Sequence, residues 1–169
     1  MRTLILLVIV LLSCLAAADT GRLKTEVDPG RAGVFIDGKY VGPAANFKIA
    51  RTYDVSLGEH EIRLVEPRYE DFVTKVTISG GKKTVLKAKL KPLPPAKPPF
   101  GRLRTEHPDH FAAVYVNEHY MGHVDEFSSA AQGLLLNPGT YQVKIVPVNG
   151  QNQITKTVTI EADKTVLVK

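Results

Sequence analysis

The feature that most constrains this chain is an internal repeat. Gly21-Arg22-Leu23-Lys24-Thr25-Glu26 returns 80 residues later as Gly101-Arg102-Leu103-Arg104-Thr105-Glu106. At the same spacing Val34-Phe35-Ile36-Asp37 returns as Val114-Tyr115-Val116-Asn117, Tyr40 as Tyr120, Gly42 as Gly122 and Phe47 as Phe127. One inserted residue later Gly58 matches Gly139, and Lys83-Thr84-Val85-Leu86 matches Lys164-Thr165-Val166-Leu167 at a spacing of 81. Ordered matches over a whole segment mean duplicated structural units, so the fold problem is that of one small module.

Within each copy the apolar period is two. His60, Ile62 and Leu64 alternate with Glu59, Glu61 and Arg63, and Tyr141, Val143 and Ile145 alternate with Gln142 and Lys144. Phe72, Val76 and Ile78 form another such face, as do Leu86, Ala88 and Leu90 against Lys87, Lys89 and Lys91. This alternation predicts strands with one buried face. Turn signals fall between them: Asp37-Gly38, Leu57-Gly58, Ser79-Gly80-Gly81 and Asn137-Pro138-Gly139. Asp-Gly is a two-residue hairpin signal because both central positions take positive φ. Asn117-Glu118 stands there in the second copy and predicts a less ideal or differently shaped tip. About seven short strands per copy make an all-β chain of two small β-sandwiches in tandem. The stretch from Asp125 to Gln132 is long enough for one helical turn and is expected as a loop.

The expected organisation is a leader over 1–18, a first module over 19–91, a linker over 92–100 and a second module over 101–169. Arg2, the apolar run Leu4–Leu12 and Ala16-Ala17-Ala18 read as a secretory signal peptide. The run is shorter than the ~20 residues of a spanning helix. Cys14, the one cysteine, follows Leu11-Leu12-Ser13 in a lipobox-like sequence. Two outcomes stay open: cleavage after Ala18, or lipidation of Cys14 as a membrane anchor. Either way the exported chain has no disulfide, and packing alone must hold each module. The linker, Lys91-Pro92-Leu93-Pro94-Pro95-Ala96-Lys97-Pro98-Pro99, favours a semi-rigid polyproline II spacer.

The stretch Asp28-Pro29-Gly30-Arg31-Ala32-Gly33-Val34-Phe35-Ile36-Asp37-Gly38-Lys39-Tyr40-Val41-Gly42-Pro43 resembles the entry, first hairpin and Val-Gly exit of the PEGA domain. Leu57 to Leu64, Tyr69 and the strand ending in Gly80-Gly81 are similar to the rest of that pattern. The second copy is a more divergent likeness. It has Asp109-His110 in place of Pro-Gly and lacks the hairpin glycine and the Tyr69 equivalent. The resemblance implies a transthyretin-like or carboxypeptidase-regulatory-like sandwich. It also implies an extracytoplasmic protein (periplasmic or secreted) in a family without assigned catalytic residues.

The function classes narrow in turn. The net charge of +5 is spread along the chain, which describes a solvated surface and not a nucleic-acid stripe. There is no H-E-x-x-H, G-x-S-x-G, phosphate-binding glycine loop or C-x-x-C. Ser128 or Ser129 with His110 and Asp109 lacks supporting spacing for a nucleophile and base. No enzyme activity and no cofactor are expected. His107, Asp109, His110, His119, His123, Asp125 and Glu126 cluster in the second copy. Of these His107, Asp109, His110, His123 and Asp125 are the weak metal-ligand candidates; His119 and His123 share a strand face but lie ~13 Å apart. The rings of Phe35, Tyr40, Tyr115 and Tyr120 are candidates for a ligand or partner surface, with packing across strands as the plainer alternative. The expected partner is an envelope protein, with cell-wall glycan as the alternative, and the membrane only through an anchor at Cys14. The rebuilt loops of the second copy are where a specific site is first sought.

Overall fold

The computed structural model describes residues 19–47 and 51–169. The proposed leader and Cys14 lie outside the described residues. The first module runs β1 (Thr20–Asp28), β2 (Gly33–Ile36), β3 (Lys39–Pro43), a 3-10 turn (Ala44–Phe47), β4 (Tyr53–Ser56), β5 (Gly58–Val65), β6 (Phe72–Ile78) and β7 (Lys83–Lys89). The second runs β8 (Gly101–Thr105), β9 (Ala113–Val116), β10 (His119–His123), one helical turn α1 (Val124–Phe127), β11 (Leu134–Leu136), β12 (Gly139–Val146), β13 (Ile154–Ile160) and β14 (Thr165–Val168). Seven strands per copy and an all-β fold agree with the periodicity.

Each module stacks a three-stranded sheet on a four-stranded one: β4-β1-β7 on β3-β2-β5-β6, then β11-β8-β14 on β10-β9-β12-β13. The inward residues of both sheets make the core. Leu23, Val34, Ile62 and Leu64 are fully buried in the first module, and Leu103, Val114, Val143 and Ile145 in the second. Each such side chain removed from water contributes roughly 1.5–3 kcal/mol. A buried hydroxyl is satisfied the same way in both copies: Thr25 Oγ1 donates to Ala44 O at 2.6 Å, and Thr105 Oγ1 to Val124 O at 3.2 Å. The last strand of each module closes its sheet in parallel with the first, β7 beside β1 and β14 beside β8.

Three expectations change. The Asn117-Glu118 tip is not differently shaped: its φ values of 48° and 64° are those of a two-positive-φ turn, like the 49° and 80° of Asp37 and Gly38. Residues 124–127 form a helical turn where a loop is expected, capped by Glu126 Oε1, which accepts from His123 N at 3.2 Å. The third change concerns the last strands. Leu64 pairs with Phe72 and Ile145 with Ile154, so the β12–β13 connection carries one more residue than its counterpart. From there the equivalent positions lie 82 apart, not 81. The two Lys-Thr-Val-Leu segments are therefore one residue out of register. Val85 is 43% exposed and Leu86 buried, whereas Leu167 is 42% exposed and Val168 buried. A one-residue slip exchanges the faces of a strand.

Candidate functional site: the aromatic face between the modules

The outer faces of the two four-stranded sheets meet. Phe35, Tyr40 and Val65 of the first module form one buried cluster with Ala113 and Tyr120 of the second, flanked by Tyr115, Val146 and Val148. The register of β2 with β3 and β5 explains the first half. Val34 and Ile36 point into the core, so Phe35 points out, opposite Tyr40 and Arg63. A bulge follows in β3, and again in β10, where Gly42 and Gly122 take φ values of 132° and 140°. The extra residue sends Val41 inward while Tyr40 stays on the outer face; Gly122 has no room for a side chain, since a Cβ would meet Phe127 at 2.8 Å.

The contact is built from equivalent residues. Phe35 corresponds to Tyr115, Tyr40 to Tyr120, Val65 to Val146 and Gly33 to Ala113, so each module offers the other the same patch. This is the logic of a two-fold dimer interface inside one chain. The Phe35 and Tyr120 rings meet edge-on with centroids 5.4 Å apart, and Tyr40 lies 5.3 Å from Tyr120. Such pairs add about 0.5–1.5 kcal/mol each beyond area burial. Tyr40 Oη donates to Phe111 O at 3.1 Å across the interface. The Arg63 guanidinium lies 4.6 Å over Phe35. Burial pushes the Tyr40 and Tyr120 phenols above their ordinary range, so both stay neutral. Gly33 is required by close approach: a Cβ there would lie 2.6 Å from the Tyr120 ring.

A charged network borders this face. Glu66 is 3% exposed and accepts from Arg31 Nε at 2.9 Å, from Arg68 N at 2.8 Å and from Arg68 Nε at 2.9 Å. Two guanidinium groups and a backbone donor satisfy a carboxylate that burial would otherwise penalise by several kcal/mol. Arg31 also reaches toward Glu126 of the second module at 3.9 Å.

One constellation has the outline of catalytic machinery. His60 Nδ1 lies 2.6 Å from Asp37 Oδ2, and Nε2 lies 3.2 Å from Ser56 Oγ. A nucleophilic serine needs a lone pair on Nε2 to take its proton. Here Nε2 also faces Ser56 O at 2.9 Å, an atom that only accepts, and Nδ1 faces a carboxylate. Both ring nitrogens face acceptors, an arrangement that favours the protonated ring over one with a free lone pair on Nε2. The hydrogen bond to Asp37 raises the His60 pKa, and the same bond lowers that of Asp37. The second module keeps the tie with other chemistry. Tyr141 Oη donates to Asn137 O at 3.0 Å, and Asn117 Oδ1 accepts from Gln142 N as Asp37 Oδ1 does from Glu61 N. The trio is a clamp between the hairpin tip and the β4–β5 corner. No sequence motif marks it, because Asp37 comes from the β2–β3 hairpin while Ser56 and His60 flank the β4–β5 turn.

Comparison with known families matches the PEGA domain model over residues 20–94. Residues 20–94 are a PEGA domain. No curated protein matches the chain. Among solved structures, the Bacillus anthracis TIE protein is similar over 89% of this chain and 34% of its own, at 16% identity and a TM-score of 0.25. That likeness carries no weight for fold or function, and this chain spans about a third of that protein's length. PEGA domains are typically extracellular or periplasmic. No helix among the described residues is long and apolar enough to cross a membrane.

The residues singled out from sequence fall as follows. Phe35, Tyr40 and Tyr120 are 3%, 7% and 7% exposed, and Tyr115 is half-buried beside them. They do not form an open ring surface; each module's rings are covered by the other module. The histidine-rich loops copy the backbone of the PEGA domain's Pro-Gly entry. Ala112 N donates to Asp109 O as Ala32 N does to Pro29 O, and Asp125 N to His110 O as Ala45 N does to Gly30 O. Asp109 is occupied by Phe111 N and Val148 N, each at 3.0 Å, and His107 Nδ1 accepts from Asp109 N. His110 lies 3.6 Å from Asp125, and His123 is buried 2.8 Å from Glu126. The bulge in β10 separates His119, which is exposed, from His123, which is buried, so the two do not share a face. Among the described residues no three of these side chains converge on a metal position. Ser128 and Ser129 hydrogen-bond within their own turn, to Asp125 O and Gln132.

The linker lies along both modules. Leu93 N donates to Arg68 O, and Glu70 N to Lys91 O. Asn137 Nδ2 donates to Lys97 O at 3.1 Å and Pro99 O at 2.7 Å. It is a strap over two touching modules and does not hold them apart.

Proposed function

We propose that this chain is a non-catalytic interaction or scaffold protein of the bacterial cell envelope, with the second module a divergent PEGA domain. The observation carrying this reading is the use of equivalent aromatic patches to join the two modules. A surface that carries rings and could have held a small ligand is spent on assembly, and what remains outward is sheet faces and strand edges, which suit protein docking. Export is supported by the basic tip, apolar run and Ala-x-Ala site of residues 1–18, with release after Ala18 and anchoring through lipidated Cys14 as its two outcomes. The glycan reading rests on open rings, and three of the four are buried.

Chemical crosslinking in the native envelope followed by recovery of the chain tests the proposal. Discrete protein partners are the expected result. Recovery of wall glycan with no protein would overturn it.

A further inference from the structure

Docking through the four-stranded sheets leaves the two three-stranded sheets as the outer layers, and these are not alike. On β4-β1-β7 carboxylates stand among the outward cations, and two lysines share one of them. Lys24 pairs with Glu26 at 2.9 Å, Lys87 with Glu26 at 3.2 Å, and Asp54 stands across from Arg22. On β11-β8-β14 the position of Asp54 is taken by Leu135, opposite Arg102, and the register slip of β14 places Leu167 opposite Arg104. Leu135 is 51% exposed and Leu167 42%.

The two arginines are held but not neutralised. Arg102 Nη1 donates to Ala130 O at 2.7 Å and Arg104 Nε to Ser128 O at 3.1 Å. Gly133 makes the flat path of Arg102 available, since a Cβ there would lie 2.2 Å from Arg102 Cγ. Arg102 Nε is buried without a hydrogen-bond partner. Among the described residues neither arginine pairs with a carboxylate. Carbonyl oxygens orient a guanidinium without cancelling its charge. A cleft of about 440 Å³ adjoins this face, walled by Pro98, Pro99 and Phe100 of the linker and by Asp163 and Lys164, the latter paired with Glu161.

We propose that the outer face of β11-β8-β14 docks an extended acidic peptide segment of a partner protein, one carrying apolar residues among its carboxylates. This rests on the scaffold reading and names the chemistry of its partner. Charge complementarity selects the acid: two orientated guanidinium groups without a carboxylate partner among the described residues. The flatness of the face selects an extended segment. Arg102 and Arg104 are one strand repeat apart, roughly 6.6 Å, the spacing of same-face side chains on an extended chain. Leu135 and Leu167 flank them on neighbouring strands at about 4.8 Å and cover apolar side chains of the segment. Both edge strands, β11 and β14, are open for backbone pairing.

The test uses the chain with a fluorescein-labelled peptide in which Glu and Leu alternate along one extended face, separated by Ser. The expected result is binding that weakens as salt rises. It drops by about tenfold or more in R102Q/R104Q and also in L135S/L167S. The Glu-to-Gln peptide does not bind. Leu135 and Leu167 are exposed, so the second variant keeps the fold, and far-UV circular dichroism checks both. Equal binding by all variants would overturn the proposal, as would no binding by the native chain, or binding only to phosphatidylglycerol vesicles. An envelope pull-down that recovers the same proteins with R102Q/R104Q would remove this surface while leaving the scaffold reading standing.

Discussion

His60 shows how little of a side chain's role its identity reveals. The sequence places it on an inward strand face matched by Tyr141, and the structure agrees that it is buried. Its charge and partners were not legible, because Asp37 and Ser56 reach it from different turns. The hydrogen bond with Asp37 raises the His60 pKa above its ordinary 6.5 and lowers that of Asp37 below its ordinary 3.8. The histidine's contribution to stability is full below pH 6.5 and is lost as pH rises through the raised folded value. The aspartate's is present above pH 3.8 and is lost as pH falls through the lowered folded value. The clamp is therefore strongest in mildly acidic solution. Asp37→Asn/His60→Tyr installs the residue types of the second module. Thermal melts from pH 5 to 9 should show that the native chain loses stability as pH rises past 6.5 in a step that the double variant lacks. An identical profile in the variant would remove the clamp from the account.

At the scale of elements, strand number and the buried face of β5 and β12 follow from period-two alternation, and the Asp37-Gly38 tip from its turn residues. The register of β14 does not. Lys-Thr-Val-Leu occurs twice, and alternation fits either parity of so short a strand; only the longer β12–β13 connection settles which. The same residue in the same tetrapeptide should then differ in cost. Leu86→Ala, which empties a core position, is expected to destabilise by about 2–5 kcal/mol. Leu167→Ala should stay within about 0.5 kcal/mol in urea denaturation. Equal costs would restore the 81-residue register. The Asn117-Glu118 tip offers a second check. Glu118 holds a φ of 64° that costs a side chain roughly 1–2 kcal/mol. Allowing for the added freedom of the unfolded chain, Glu118→Gly should stabilise by about 1 kcal/mol, read as a higher urea midpoint at unchanged slope. A lower midpoint would mean the turn has another shape.

At the scale of the whole molecule, the duplication was legible and the docking was not. An outward aromatic on a strand reads the same whether water, sugar or another module covers it. The linker composition predicts stiffness but not that the modules touch beneath it. The docked arrangement uses Phe35 and Tyr40 against Tyr115 and Tyr120, equivalent positions at spacing 80. That equivalence is what leaves dissimilar outer sheets for partners. The most direct test is a search for nuclear Overhauser effects between the ring protons of Phe35 and Tyr120 in selectively labelled chain. With centroids 5.4 Å apart, cross-module contacts should be observed and should disappear in Gly33→Val, whose side chain would displace the Tyr120 ring. Two modules tumbling independently, with no Phe35–Tyr120 contact in the native chain, would contradict the account.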